Sequence, residues 1–137
     1  MTATTSISQF SIGDRFEHGL LMTADRMRAF AELSGDRNAL HMEPHFAREN
    51  GFESIVVYGN LLGLMVSTLV GMNLPTNKVM IIKQAIDFRA PVYVDDQVDL
   101  VASVSKVHEA VAVVQLDLDF AVDGRRVATG TCVLKCL

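Results

Sequence analysis

Two side chains suited to acid/base chemistry, Asp36 and His41, lie five residues apart in the first third of the chain. Gly35 and Asn38 disfavour a continuing helix, so residues 36–41 are predicted to form a loop that aims both side chains into one cleft. A carboxylate and an imidazole that converge on a water molecule can take its proton and deliver one elsewhere. The pattern predicts a site that adds or removes water. On the residues alone, a capping Asp36 and an ordinary half-buried His41 remain an open alternative.

Length and composition favour one domain. The chain has 137 residues, of which 50% are apolar, enough for a sizeable core, and we predict a single domain over residues 1–137. Charged residues make up 20% of the chain and the net charge is -4, which argues against a nucleic-acid binder with a broad basic face.

The two cysteines, Cys132 and Cys136, are predicted to lie on one face of a strand as reduced core residues. Their spacing suits neither a disulfide within a strand nor a metal site, and no metal is expected.

The N-terminal residues 1–10 have no basic region followed by an apolar stretch, so we expect no signal peptide and a cytoplasmic location. Residues 61–74 form the most apolar stretch, but it is too short to span a bilayer and contains Gly63, Gly71 and Asn73. It is predicted to be a buried helix, and no membrane partner is expected.

Three helices are predicted from the spacing of apolar residues. The first covers residues 23–33, with Thr23 as its N-cap and Gly35 as its stop, and a short helix covers 44–50. The third, over residues 60–70, is apolar on nearly every side, which predicts that other elements enclose it.

Four strands are predicted after these helices, at residues 79–88, 98–107, 110–122 and 125–134, with apolar and polar residues alternating in places. Asp123 and Gly124 form a tight-turn signal, so the last two strands are predicted to make an antiparallel hairpin. Helices followed by strands indicate an α+β domain. An antiparallel sheet wrapped around a central apolar helix describes a single hot-dog fold.

Three segments resemble those of (R)-specific enoyl-CoA hydratases, the MaoC-like branch of hot-dog proteins. They are FAELSGDRNALH at 30–41, FESIVVYG at 52–59 and DFRAPVYV at 87–94. Their order and separation also fit, so the resemblance extends from about residue 12 to the C-terminus.

The resemblance implies an Asp36 and His41 dyad acting on a trans-2-enoyl or (R)-3-hydroxyacyl thioester. Asn38 matches the position that orients the water or the dyad, and Gly59 matches the residue whose backbone N–H receives the thioester oxygen. Ser67 matches a position that supports the site from the central helix. Alternatively, Gly59 is only a turn before the helix and Ser67 bonds its own helix backbone.

The chain departs from the family pattern at several positions. Ala39 replaces a usual Pro, Asp95 replaces a Gly, and Tyr58 and Asn60 stand where His and an apolar residue are usual. We interpret Tyr58 and Asn60 as substrate-binding residues that retune the site for a different acyl group, with Asn60 as a candidate helix N-cap.

Further expectations concern the substrate and the assembly. No cofactor is expected, since coenzyme A or a carrier protein enters as part of the substrate, and a homodimer is expected because one sheet edge and one helix flank stay unburied. The candidates for binding the substrate phosphates are the basic residues Arg37, Arg48, Lys83 and Arg89. The candidates for lining an acyl tunnel are the apolar residues Leu64, Met65, Val66, Met72 and Met80.

Two other functions use the same fold. A hot-dog thioesterase needs an acidic nucleophile or base over the carbonyl, and the 36–41 signature points away from it. A non-catalytic acyl-thioester-binding protein would explain Tyr58 and Asn60, but the joint presence of Asp36, Asn38 and His41 argues against it.

Overall fold

A computed structural model describes residues 6–137 of the chain. Two predictions extend over residues 1–5, namely the single domain and the absence of a signal peptide. For these five residues both predictions lie outside the described part of the chain. None of the helices in the described part is long and apolar enough to cross a bilayer.

One five-stranded sheet dominates the structure, with strand order β1-β3-β4-β5-β2 and every neighbouring pair antiparallel. β1 and β2 are therefore its two edges. The strands are β1 (Arg15–Leu21), β2 (Val79–Phe88), β3 (Gln97–His108), β4 (Val113–Val122) and β5 (Arg125–Cys136).

Four helices lie between β1 and β2: α1 (Ala24–Ser34), α2 (Ala39–Met42), α3 (Pro44–Glu49) and α4 (Asn60–Met72). The predicted ends of α1 are confirmed. The Thr23 hydroxyl accepts from the Arg26 N–H at 3.1 Å, and Gly35 ends the helix in the left-handed conformation with φ 77°.

Alternation along β3 and β4 is confirmed, with Val98, Leu100, Leu116 and Leu118 buried on the face that meets the helices. The hairpin is also confirmed, because β4 and β5 pair across a turn in which Asp123 and Gly124 both have positive φ. The fold is the predicted α+β hot-dog fold.

The order of elements was predicted incompletely. The sequence did not predict β1, a strand that precedes the helices and pairs with β3. The strand predicted over 110–122 begins at Val113, because Glu109–Val111 form a 3₁₀ turn and Ala112 takes a left-handed φ of 54°. Asp95 also has positive φ, 75°, which explains why glycine suits this position.

Helix α4 lies against the sheet but is not enclosed on every side as predicted. One face is buried in the core, while Leu64 and Ser67 on the opposite face are exposed. The sheet covers only one side of any helix that packs on it, so the other side of α4 is available to a further element. The buried face comprises Leu61, Leu62, Met65, Val66, Leu69 and Val70.

Candidate active site

A series of short-range hydrogen bonds shapes the chain between α1 and α2. The Asp36 N–H donates to the Ser34 hydroxyl at 3.0 Å, and the Asn38 N–H donates to Asp36 Oδ1 at 3.1 Å. Asn38 Oδ1 in turn accepts from the Leu40 N–H at 2.9 Å and caps α2. Asp36 and Asn38 therefore fix the backbone that carries His41.

The prediction that residues 36–41 form a loop was wrong at its C-terminal end, since His41 lies in the single-turn helix α2. The side-chain cap from Asn38 explains why a helix starts here. Ala39 is the first helical residue, a position that also suits proline, so the replacement of Pro by Ala preserves the local conformation.

The His41 ring is anchored by the segment before α4. Its Nδ1 lies 2.6 Å from the carbonyl oxygen of Val56, and the Val56 N–H donates to the Leu40 carbonyl at 3.0 Å. Because a carbonyl oxygen only accepts, Nδ1 carries the proton in this contact. Nε2 of neutral His41 is then the ring nitrogen with a free lone pair.

The structure places Asp36 and His41 on one short segment but does not join their side chains directly. Within residues 6–137, the recorded hydrogen bonds of the Asp36 carboxylate and the His41 ring go to Asn38 and Val56 respectively. Asp36 is exposed, His41 is half-buried, and Asp36 Oδ2 has no recorded partner. The predicted dyad stays a prediction.

His41 lines a cavity of about 430 Å³ between α1, α2 and the chain after α3. Its wall is mainly apolar, from Met27, Ala31, Met42 and Ile55, with charged groups also contributing. A half-buried imidazole in a mainly apolar cleft with a few polar groups has the character of a small-molecule site.

Tyr58 is buried, with 2% of its surface exposed, and it contacts both parts of the predicted dyad. Its hydroxyl donates to the Asp36 carbonyl at 2.5 Å, and its ring stacks on His41 with centroids 4.2 Å apart. Burial raises the pKa of the Tyr58 hydroxyl, the nearby charge of Asp36 raises it further, and Arg37 opposes the rise. The hydroxyl therefore keeps its proton and remains a hydrogen-bond donor.

Gly59 and Asn60 lie where α4 begins, but Asn60 is not its N-cap as predicted. The cap position is Gly59, and Asn60 is the first helical residue, because Leu61 and Leu62 already donate to the Tyr58 and Gly59 carbonyls. No hydrogen bond from the N–H of Gly59 or Asn60 is recorded among the described residues. These free N–H groups make the helix start attractive to negative charge.

A side chain at position 59 would collide with Phe88. The Cβ of any other residue there would lie 2.9 Å from the Phe88 ring, which is 57% exposed. A residue with a side chain at position 59 would therefore require the exposed Phe88 ring to shift, whereas the φ of -57° at this position is open to all residues.

Ser67 lies apart from these residues on the exposed face of α4, and no hydrogen bond from it is recorded within residues 6–137. Thr68, rather than Ser67, bonds the helix backbone, at Leu64. The predicted tunnel residues also lie elsewhere, because the His41 cavity contains none of the five. Met65 and Val66 are core residues, and the others are exposed.

Of the four basic candidates, only Arg37 lines the His41 cavity, where it pairs with Glu32 at 2.7 Å. This pairing raises the pKa of Arg37. Arg89 donates to the Thr129 hydroxyl at 3.0 Å, and Arg48 and Lys83 are exposed. The cavity also contains Arg28, which sequence reasoning missed.

The cysteines are free and buried as predicted, and burial raises the pKa of Cys132 to about 11. Within residues 6–137, no three His, Cys, Asp or Glu side chains come together as metal ligands.

Sequence reasoning missed Val56 and Phe30. Val56 acts through its carbonyl, so its side-chain type carries no signal. Phe30 packs against Tyr58 with ring centroids 4.4 Å apart and ring planes tilted by 34°, although its apolar position in α1 indicated only core packing.

Comparison with known proteins agrees with this structure. Residues 9–118 match the MaoC-like domain family. The chain is 32% identical to an (R)-specific enoyl-CoA hydratase of Aeromonas caviae, over 95% of this chain and 98% of that protein. It is 30% identical to a mitochondrial 3-hydroxyacyl-[acyl-carrier-protein] dehydratase of Arabidopsis thaliana, over 71% of this chain and 57% of that protein.

The solved structure of the A. caviae (R)-hydratase superimposes with a TM-score of 0.87 at 31% identity, covering 93% of this chain and 98% of that one. The fold and these relatives therefore identify a hot-dog enzyme of the hydro-lyase class. The chain belongs to the MaoC-like dehydratase family.

The raised pKa of Tyr58 predicts a pH-dependent contribution to stability. Folding favours the neutral phenol, so its contribution is complete below the ordinary pKa of 10.0 and is lost as the pH rises through the higher folded-state value. Tyr58→Phe removes one buried hydrogen bond and should lower the free energy of unfolding by about 1 kcal/mol at neutral pH. Urea unfolding of both proteins should show this difference shrinking in alkali. A constant or widening difference would contradict the assignment.

Proposed function

We propose that the protein hydrates trans-2-enoyl thioesters (R)-specifically, or dehydrates (R)-3-hydroxyacyl thioesters in reverse, with Asp36 and His41 as the acid/base dyad. The single observation that carries this proposal is the anchoring of His41 Nδ1 on the Val56 carbonyl at the wall of a mainly apolar cavity. A ring fixed in this way has Nε2 as its base.

In the hydration direction, His41 Nε2 takes a proton from water as the water oxygen forms a bond to C3 of the enoyl group. The electron pair of the double bond moves toward the thioester oxygen, giving an enolate-like species. The proton that His41 has taken from water is then passed on through Asp36 and forms the C2–H bond, so that H and OH are added overall and both side chains return to their starting state. Asp36 Oδ2 is the carboxylate oxygen with no recorded partner, which suits it to hold this water.

The N–H of Gly59 is proposed to stabilise the oxyanion. Two features support this role, namely its lack of a recorded hydrogen-bond partner within residues 6–137 and its place at the start of the 13-residue helix α4. An amide already oriented at the point where charge develops favours the enolate over the bound substrate.

The other site residues have supporting roles in the proposal. Asn38 shapes the segment that carries the dyad through its cap of α2, while Asn60 and Ser67 are exposed on α4 and are proposed to contact the thioester. All reacting groups come from the protein, so the proposed reaction needs no resident cofactor. The relatives include enzymes named for CoA and for carrier-protein substrates, and we propose an acyl thioester of either kind.

A homodimer is part of the proposal, together with the cytoplasmic location predicted from the sequence. β2 is an edge strand, and the exposed apolar residues Met80, Ile82 and Phe88 lie on it, while Leu64 of α4 is also exposed. A second copy that covers this surface would bury the unpaired strand edge and the open side of α4.

The dyad predicts a large loss of rate when either member is removed. His41→Ala and Asp36→Ala should each lower kcat for crotonyl-CoA hydration by about 10²- to 10⁴-fold, because a positioned acid or base contributes this much. Loss of the enoyl absorbance measures the rate. His45→Ala and Asp99→Asn replace exposed residues outside the cavity and should retain the native rate.

Equal, non-zero rates in the native chain and both dyad variants would refute the dyad. A native chain that binds enoyl-CoA of several lengths without converting CoA or carrier-protein thioesters would refute catalysis and support a binding protein.

The proposed dimer predicts a sedimenting mass of twice the 15.0 kDa of the chain. Ile82→Lys places a charge on the β2 surface and should give monomers, whereas Ile12→Lys changes an equally apolar exposed residue outside β2 and α4 and should leave the dimer intact. A monomeric native chain would contradict the proposed dimer.

A further inference from the structure

Tyr58 was expected to bind substrate, but its surroundings indicate another role. It is 2% exposed, and the cavity that it lines with Gly59 and Phe88 has a volume of about 30 Å³. This space holds about one water molecule rather than an acyl chain. The phenol is therefore a poor candidate for direct contact with substrate.

The hydroxyl of Tyr58 holds the backbone of Asp36. It donates to the Asp36 carbonyl at 2.5 Å, and its other polar neighbour is the sulfur of Met42 at 3.7 Å. Asp36 is exposed and follows the left-handed Gly35, so little packing from its own side chain restrains it. The phenol supplies a restraint from the protein interior.

The ring of Tyr58 contacts two other rings. His41 stacks on it with centroids 4.2 Å apart and an interplanar angle of 26°, and Phe30 packs against it at 4.4 Å with a tilt of 34°. Packing by Phe30 therefore restrains the ring on which His41 rests.

We infer that Tyr58 is a positioning residue that aligns the two members of the dyad with each other, its hydroxyl fixing Asp36 and its ring fixing His41. The inference rests on the proposed function. It also explains the departure from the usual histidine, because a phenol extends its polar atom farther from the backbone than an imidazole and offers a ring face at the same time.

Steady-state kinetics of Tyr58→Phe on crotonyl-CoA tests the hydroxyl. The substitution keeps the ring and releases Asp36, so kcat should fall about 10- to 100-fold while KM stays within about twofold. Tyr93→Phe is the matched control, because it removes the other tyrosine hydroxyl of the chain, which accepts from the Glu53 N–H at 3.1 Å. It should leave both constants unchanged.

A double-mutant cycle separates positioning from general stability. If Tyr58 acts through Asp36, Tyr58→Phe should lower kcat less than about twofold in an Asp36→Asn background, since the group that it positions is already lost. The inference would be overturned if Tyr58→Phe lowered kcat by the same factor in both backgrounds, or if it changed only KM. It would also be overturned if Tyr58→Phe left both constants unchanged, as Tyr93→Phe should.

The tautomer of the His41 ring tests, without measuring activity, whether the ring of Tyr58 fixes His41. In nitrogen-15 spectra of neutral His41, the native chain and Tyr58→Phe should show the Nδ1–H tautomer, whereas Tyr58→Leu, which removes the ring face, should show a mixture. An unchanged tautomer in Tyr58→Leu would overturn the role of the ring. Full activity of the Asp36 and His41 variants would instead refute the proposed function, which distinguishes the two failures.

Discussion

The site depends on a pair of hydrogen bonds made by one backbone unit, Val56. Its N–H and its carbonyl bind Leu40 and His41, and the same residue forms an isolated antiparallel bridge with Tyr93. Through these contacts a four-residue helix, too short to be stable alone, is attached to the chain that leads into α4. The orientation of His41 is therefore set by the body of the fold rather than by its own segment.

The connection between β2 and β3 holds this attachment in place. The N–H of Val57 donates to the Val92 carbonyl at 2.8 Å, which ties the chain before α4 to the segment between β2 and β3. Tyr58 follows at once and turns its ring under His41, while Gly59 begins the helix. Val57, Tyr58 and Gly59 thus connect the segment between β2 and β3, the imidazole of His41 and the N–H groups at the start of α4. This continuity explains how a largely exposed segment can hold chemically demanding geometry.

The sequence predicted the elements that have strong local signals. The caps of α1 and the Asp123–Gly124 turn were predicted correctly, because glycine and hydroxyl side chains determine backbone conformation locally. β1 was missed because its inward positions include the polar His18 and its last outward position is the apolar Leu21. Because α4 is apolar on nearly every side, it was predicted to be enclosed. In the described chain, one of its apolar faces is instead exposed.

The reactive residues of the candidate site stay predictions, and several residues that support them were missed. Asp36, Asn38 and His41 were identified from residue type and resemblance, and the structure places them on one segment. Val56 acts through a carbonyl that every residue possesses, so its role requires the tertiary fold. Tyr58 was assigned to substrate binding because a phenol has a polar end, and only its burial and its stacking partners reveal a different environment.

The stereochemistry of hydration tests the proposed function most directly. Native protein given trans-crotonyl-CoA and water should form 3-hydroxybutyryl-CoA, and its configuration can be read with dehydrogenases specific for each enantiomer. The account predicts the (R)-product alone, with the thioester bond intact. Formation of the (S)-product or a racemate, or release of free CoA and crotonate in place of hydration, would contradict it.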